Sequence, residues 1–204
     1  MNKPLTLLSL RLGFLIFFIS AFFISPGVHA ENETEADPDS PDTLVLSDTL
    51  DYDDKQRESI FTGNVILTRG TLTMHADKLV MTEDEQGFQY GVATVKNSDL
   101  VLVRQENPEK FEVIEGKGLR GEYDGKVETI TMIGQAVVTR YVCGKPFDSI
   151  RGERVVFNQT DDTYHAYGGA QSAAPDGRVR SVAQPRAKSE AAAEECRQRA
   201  QSAS

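Results

Sequence analysis

Apolar and polar positions alternate along most of the chain between residues 43 and 183, most clearly in residues 60–81, IFTGNVILTRGTLTMHADKLVM. Phe61, Val65 and Leu67 share one parity, and beyond Arg69-Gly70 so do Leu72, Met74 and Ala76. Runs of period 2 split by a glycine predict antiparallel strands with one buried face, here joined as a β-hairpin. No i, i+3, i+4, i+7 pattern is sustained anywhere in this stretch, and glycine recurs every few positions, which weakens helices. Val, Thr, Tyr and Phe dominate the apolar runs, as strands prefer. Turn residues fall between the runs at Asp53-Asp54-Lys55, Gln86-Gly87, Gly125-Lys126 and Asp176-Gly177. The expected fold class is all-β.

The pattern repeats. Tyr52-Asp53-Asp54-Lys55 returns as Tyr123-Asp124-Gly125-Lys126, and Phe61-Thr62-Gly63-Asn64-Val65 returns as Met132-Ile133-Gly134-Gln135-Ala136, both about 71 residues on. Ala76-Asp77-Lys78-Leu79 matches Gly152-Glu153-Arg154-Val155 about 76 residues on, which predicts a short loop insertion near Cys143-Gly144-Lys145-Pro146. Such units bury their apolar faces by stacking on neighbours. The expected architecture is an elongated antiparallel jellyroll: two facing sheets of stacked hairpins, open at both ends.

The flanks differ in composition. Lys3 and Arg11 precede an apolar run, and Val28-His29-Ala30 resembles a cleavage site, so residues 1–30 are expected to be a secretory signal peptide. The run of about 13 residues is short of the roughly 20 a spanning helix needs. Residues 31–42 are acidic and Pro-punctuated and are expected to be disordered. Residues 185–204 form an Ala/Glu/Arg tail without an apolar stripe, expected to be disordered or a frayed helix. The folded domain is therefore placed at 43–184. Loss of Lys3 and Arg11 takes the formal net charge from −9 to −11, which disfavours a nucleic-acid partner. The two cysteines, Cys143 and Cys196, are a possible disulfide in an oxidising compartment; sequence leaves their distance open.

The shared parity assigns an interior to Phe61, Val65, Leu67, Leu72, Met74, Leu79, Met81, Phe88 and Tyr90 in the first half. Tyr123, Ile130, Met132, Ala136, Val138, Val155 and Phe157 follow in the second, with Val92 and Val113 in the same set. Two readings are open: a dry core, or a groove with room for a ligand. Absence of Trp and the small residues Gly63, Gly134 and Ala136 favour room. Catalytic chemistry finds little footing. Asp51, Asp53 and Asp54 read as turn residues, though a secreted polysaccharide-processing enzyme would use such carboxylates. His75 and His165 are too few for a metal site, and Gly168-Gly169 has no strand–loop–helix context for phosphate binding. No metal or cofactor is expected.

The segments SDTLDYDDKQRESIFTGNVILTRGTLTMHADKLVM, EGKGLRGEYDGKVETITMIGQAVVTR, SIRGERVVFN and PDGRVRSVAQP resemble the OstA-like (LptA) family of periplasmic lipopolysaccharide-transport proteins. The resemblance spans about residues 44–185 and is most specific in the GNV…L…G…L…AD…L pattern. Gly134-Gln135-Ala136 departs slightly, and residues 86–112 match less typically. The resemblance implies a non-enzymatic jellyroll that shields lipid A acyl chains in the groove just assigned. It also implies partners in the inner- and outer-membrane components of an export machine, and end-to-end self-association. Open β edges would then dock through Leu44, Val45 and Leu46 at one end and Val179, Arg180 and Val182 at the other. A membrane-anchored module of the same architecture is the alternative within that machine.

Overall fold

The computed structural model describes residues 41–97 and 99–202. The expected signal peptide and residues 31–40 of the acidic lead-in lie outside the described residues. Strands form wherever the alternation predicts them. They are β1 (Thr43–Leu46), β2 (Thr49–Asp53), β3 (Glu58–Arg69), β4 (Leu72–Glu83), β5 (Gln89–Thr94) and β6 (Val101–Asn107), followed by β7 (Glu112–Gly118), β8 (Arg120–Asp124), β9 (Thr129–Val142), β10 (Lys145–Asn158), β11 (Thr163–Tyr167) and β12 (Arg180–Val182). A helix, α1 (Arg186–Ser202), follows.

All strand pairings are antiparallel, and the long strands β3, β4, β9 and β10 take part in two faces at once. One face runs β1-β3-β4-β6-β7-β9-β10-β12. The other runs β2-β3-β4-β5-β8-β9-β10-β11. This is the expected jellyroll, and β1–β6 and β7–β12 are its two repeats. The chain passes between faces at β-bulges in β3 and β9, where the register shifts between Thr62 and Val65 and between Ile133 and Ala136.

Both bulges occupy left-handed backbone, at Gly63 (φ 83) and Asn64 (φ 46), and at Gly134 (φ 69) and Gln135 (φ 51). The Asp48 N–H donates to the Gly63 carbonyl at 2.9 Å, and the Leu119 N–H donates to the Gly134 carbonyl at 2.9 Å. A Cβ on Gly63 would lie 2.1 Å from Asp48 Oδ2, and one on Gly134 2.9 Å from Leu119 Cδ1. These glycines therefore answer a backbone demand and do not leave room for a ligand, contrary to the sequence expectation.

Four further expectations are corrected. The five extra residues of the second repeat make no loop. They lengthen the β9–β10 hairpin, whose turn is only Cys143-Gly144, by two residues on one arm and three on the other, including a bulge between Pro146 and Asp148. On β5 the inward residues are Gly91 and Ala93, which pair with Met81 and Leu79. Tyr90 and Val92 therefore face outward, and the Tyr90 hydroxyl donates to Asp84 at 2.9 Å. Phe88, although buried, lies outside the central apolar cluster, beneath Lys126 at 5.6 Å. Val113 is likewise outward, since Ile114 and Gly116 are the β7 residues that line the interior.

The tail is helical and held in place. A disulfide joins Cys196 to Cys143 with Cα atoms 5.8 Å apart, Arg197 sits 6.0 Å over the Phe111 ring, and Ser189 and Ala192 are buried. A covalent tie thus substitutes for the missing apolar stripe.

Candidate functional site

The residues between the two faces do not pack evenly. In the first repeat they enclose a cavity of about 430 Å³, within the roughly 300–1,000 Å³ usual for small-molecule sites. Leu67, Leu72, Met74 and Val103 line it from one face, and Leu79, Met81, Gly91, Ala93, Gly121, Tyr123 and Ile130 from the other. Its mouth runs between Gly70 and Thr71, at the β3–β4 turn, and Glu128 and Gln159 opposite. In the second repeat the space among Ile114, Ile130, Met132, Val138, Val155 and Phe157 shrinks to about 20 Å³, room for about one water. Among the described residues, the interior therefore narrows sharply from the first repeat to the second.

One pair of equivalent positions accounts for much of this difference. In the first repeat Met81 pairs with Gly91. In the second, Phe157 pairs with Tyr164, and the two rings stack with centroids 4.7 Å apart. Burial, with Asp162 nearby, pushes the Tyr164 hydroxyl well above its ordinary value.

Most of the residues predicted to face inward do so. Leu67, Leu72, Met74, Leu79, Met81, Tyr123 and Ile130 line the cavity, and Met132, Val138, Val155 and Phe157 form the filled half. Phe61, Val65 and Ala136 pack in the cluster behind them. Phe88 and Tyr90 do not join it. Sequence reasoning missed Gly91, Ala93 and Gly121, which make space by being small, and the polar rim of Gln89, Gln105 and Gln159. Of the expected docking residues, Leu44 and Leu46 on β1 are exposed, as are Val179 and Val182; Val45 instead turns inward onto the core, so only its backbone belongs to the edge. Arg180 lies on β12, whose pairing is with β10. The second face adds its own edges, β2 with exposed Leu50 and Tyr52, and β11 with exposed Tyr167.

Two arginines 71 positions apart stand on the rim of the first face. Arg140 in the second repeat is enclosed by carboxylates: Glu112 Oε1 lies at 2.7 Å and Asp148 Oδ2 at 2.6 Å. Burial works against its charge, but these partners outweigh it and hold the guanidinium above its ordinary value. Arg69 in the first repeat reaches across the mouth, donating from Nη1 to the Tyr123 hydroxyl at 3.3 Å. Of the candidate catalytic carboxylates, Asp53 Oδ1 accepts the N–H groups of Lys55 and Gln56, and Asp54 Oδ1 accepts the Tyr52 hydroxyl, as turn residues do. No helix among the described residues is long and apolar enough to cross a membrane.

Comparison with known proteins agrees with this geometry. The chain is 26% identical over 148 residues to the lipopolysaccharide export system protein LptH of Pseudomonas aeruginosa, covering 72% of this chain and 81% of that protein. The crystal structure of LptH, described as the LptA-homologous periplasmic component of the lipopolysaccharide transport device of that organism, superposes with a TM-score of 0.60 at 24% identity, over 71% of this chain and 96% of that one. The family model for LptA and the LptD N-terminal domain, described as LPS transport protein, matches residues 44–163. The chain belongs to this family of lipopolysaccharide-transport proteins.

Proposed function

We propose that this protein is a periplasmic, non-enzymatic carrier that shelters the acyl chains of lipopolysaccharide between its two faces, as part of a bridge from inner to outer membrane. The observation that carries the reading is an apolar cavity of about 430 Å³ opening along one side of a jellyroll that belongs to a lipopolysaccharide-transport family. Exposing a hydrocarbon chain of ~14 carbons to water costs on the order of 10 kcal/mol, at ~0.8 kcal/mol per methylene. A lining of Leu, Met and Val offsets that cost with contacts that have little directional preference, so a chain is held without being locked. The partners are the membrane components of the export machine and further copies of the chain. They dock on the unpaired backbone groups of the terminal strands, β1 and β2 at one end and β11 and β12 at the other.

Photo-crosslinking amino acids test the reading in cells. At Met74 and Met81, inside the cavity, they are expected to form lipopolysaccharide adducts; at Thr68 and Lys78, outside it, none is expected. Adducts from the outer positions alone would defeat the proposal.

A further inference from the structure

The two rim arginines occupy equivalent positions, yet their surroundings differ. Arg140 is neutralised by Glu112 and Asp148 and stands over the filled half of the interior. Arg69 lines the cavity and, among the described residues, has no carboxylate within ion-pair distance. Its neighbours across the mouth are the Tyr123 hydroxyl at 3.3 Å and the Tyr123 ring, 5.8 Å from the guanidinium carbon. The two carboxylates that share the cavity lining are occupied elsewhere: Glu122 by Arg120 at 2.6 Å, and Glu128 by the Thr160 hydroxyl at 2.9 Å. The half of the molecule with room for hydrocarbon is thus the half whose rim presents an arginine without an ion-pair partner.

We infer that Arg69 is a headgroup site: it takes a phosphate of an amphiphile whose chains lie in the cavity below. A guanidinium presents N–H donors in a planar fork that matches phosphate oxygens. Tyr123, from the opposite face, holds that fork over the mouth before the ligand arrives, which reduces the ordering cost of binding. The inference rests on the lipid-carrier reading and adds the chemistry by which the ligand's polar end is recognised: a phosphorylated lipid is preferred to a neutral one with the same chain. Arg140 contributes no second such site, because an incoming phosphate would have to displace two carboxylates.

Titration calorimetry of the purified protein with three monomeric probes provides the test: dodecyl phosphate, neutral dodecyl maltoside and inorganic phosphate. Wild-type protein is expected to bind dodecyl phosphate more tightly than the maltoside. Arg69→Gln is expected to weaken dodecyl phosphate about tenfold, the effect of losing one charge-assisted hydrogen bond, and to leave the maltoside unchanged. Arg69→Lys should restore part of the loss, and a thermal melt confirms that each variant is folded. Equal weakening of both amphiphiles, or of neither, overturns the headgroup site. Inorganic phosphate binding alone with similar affinity, and lost in Arg69→Gln, would make this a free-phosphate site and also overturn it. If neither amphiphile binds the wild type, the carrier reading itself falls, a result distinct from failure at Arg69.

Discussion

Glycine carries two opposite duties in this chain, and the distinction can be tested. Gly91 is needed for the space it leaves: a Cβ there would meet Tyr123 Cβ at 3.6 Å and Leu79 Cδ1 at 3.8 Å, both ordinary contacts. Gly91→Ala should therefore fold and melt close to wild type. Gly91→Phe should cut binding of an alkyl ligand severely, because its ring enters the cavity. Gly134 is needed for its backbone, at φ 69 against Leu119. Gly134→Ala should lose about 1–3 kcal/mol, several degrees of Tm for a domain of this size, without entering the cavity. Calorimetry and a lipid-displacement assay on the three variants separate the duties. Sequence exposed the bulge glycines by their 71-residue recurrence but misread their purpose. It passed over Gly91 because the outward Tyr90 and Val92 supplied the more apolar parity of β5.

At the scale of elements, the alternation, the hairpins and the doubling were legible because strand faces follow a two-residue period whatever the tertiary context. The bulged crossing between faces was not legible: it depends on Asp48 and Leu119 meeting Gly63 and Gly134 across strands. The position of α1 was hidden for a different reason. Its buried residues are only Ser189 and Ala192, so its docking depends on the bond to Cys143. That bond closes a loop with a sequence separation of 53, and constraining such a loop contributes about 2–4 kcal/mol. A reducing agent, or Cys196→Ser, should lower Tm by roughly 5–15 °C and decrease helical circular dichroism while the sheet signal remains below the transition. An unchanged melt and helix signal would show that α1 docks without its tie.

At the scale of the whole molecule, among the described residues β1 and β2 pair only with β3, and β11 and β12 only with β10, which leaves a strand edge at each end. Under the bridge reading, sedimentation velocity should show species that lengthen with protein concentration. Deleting residues 177–184 removes β12 and should restrict this growth; assembly of unchanged length would direct attention to the β2 and β11 edges. If such molecules stand in a file, a hydrocarbon passenger meets a well in each first repeat and a constriction at each stacked Phe157–Tyr164 pair. Travel would then proceed in discrete hops, with the ring pair setting the dwell time and a push from the loading end setting the direction.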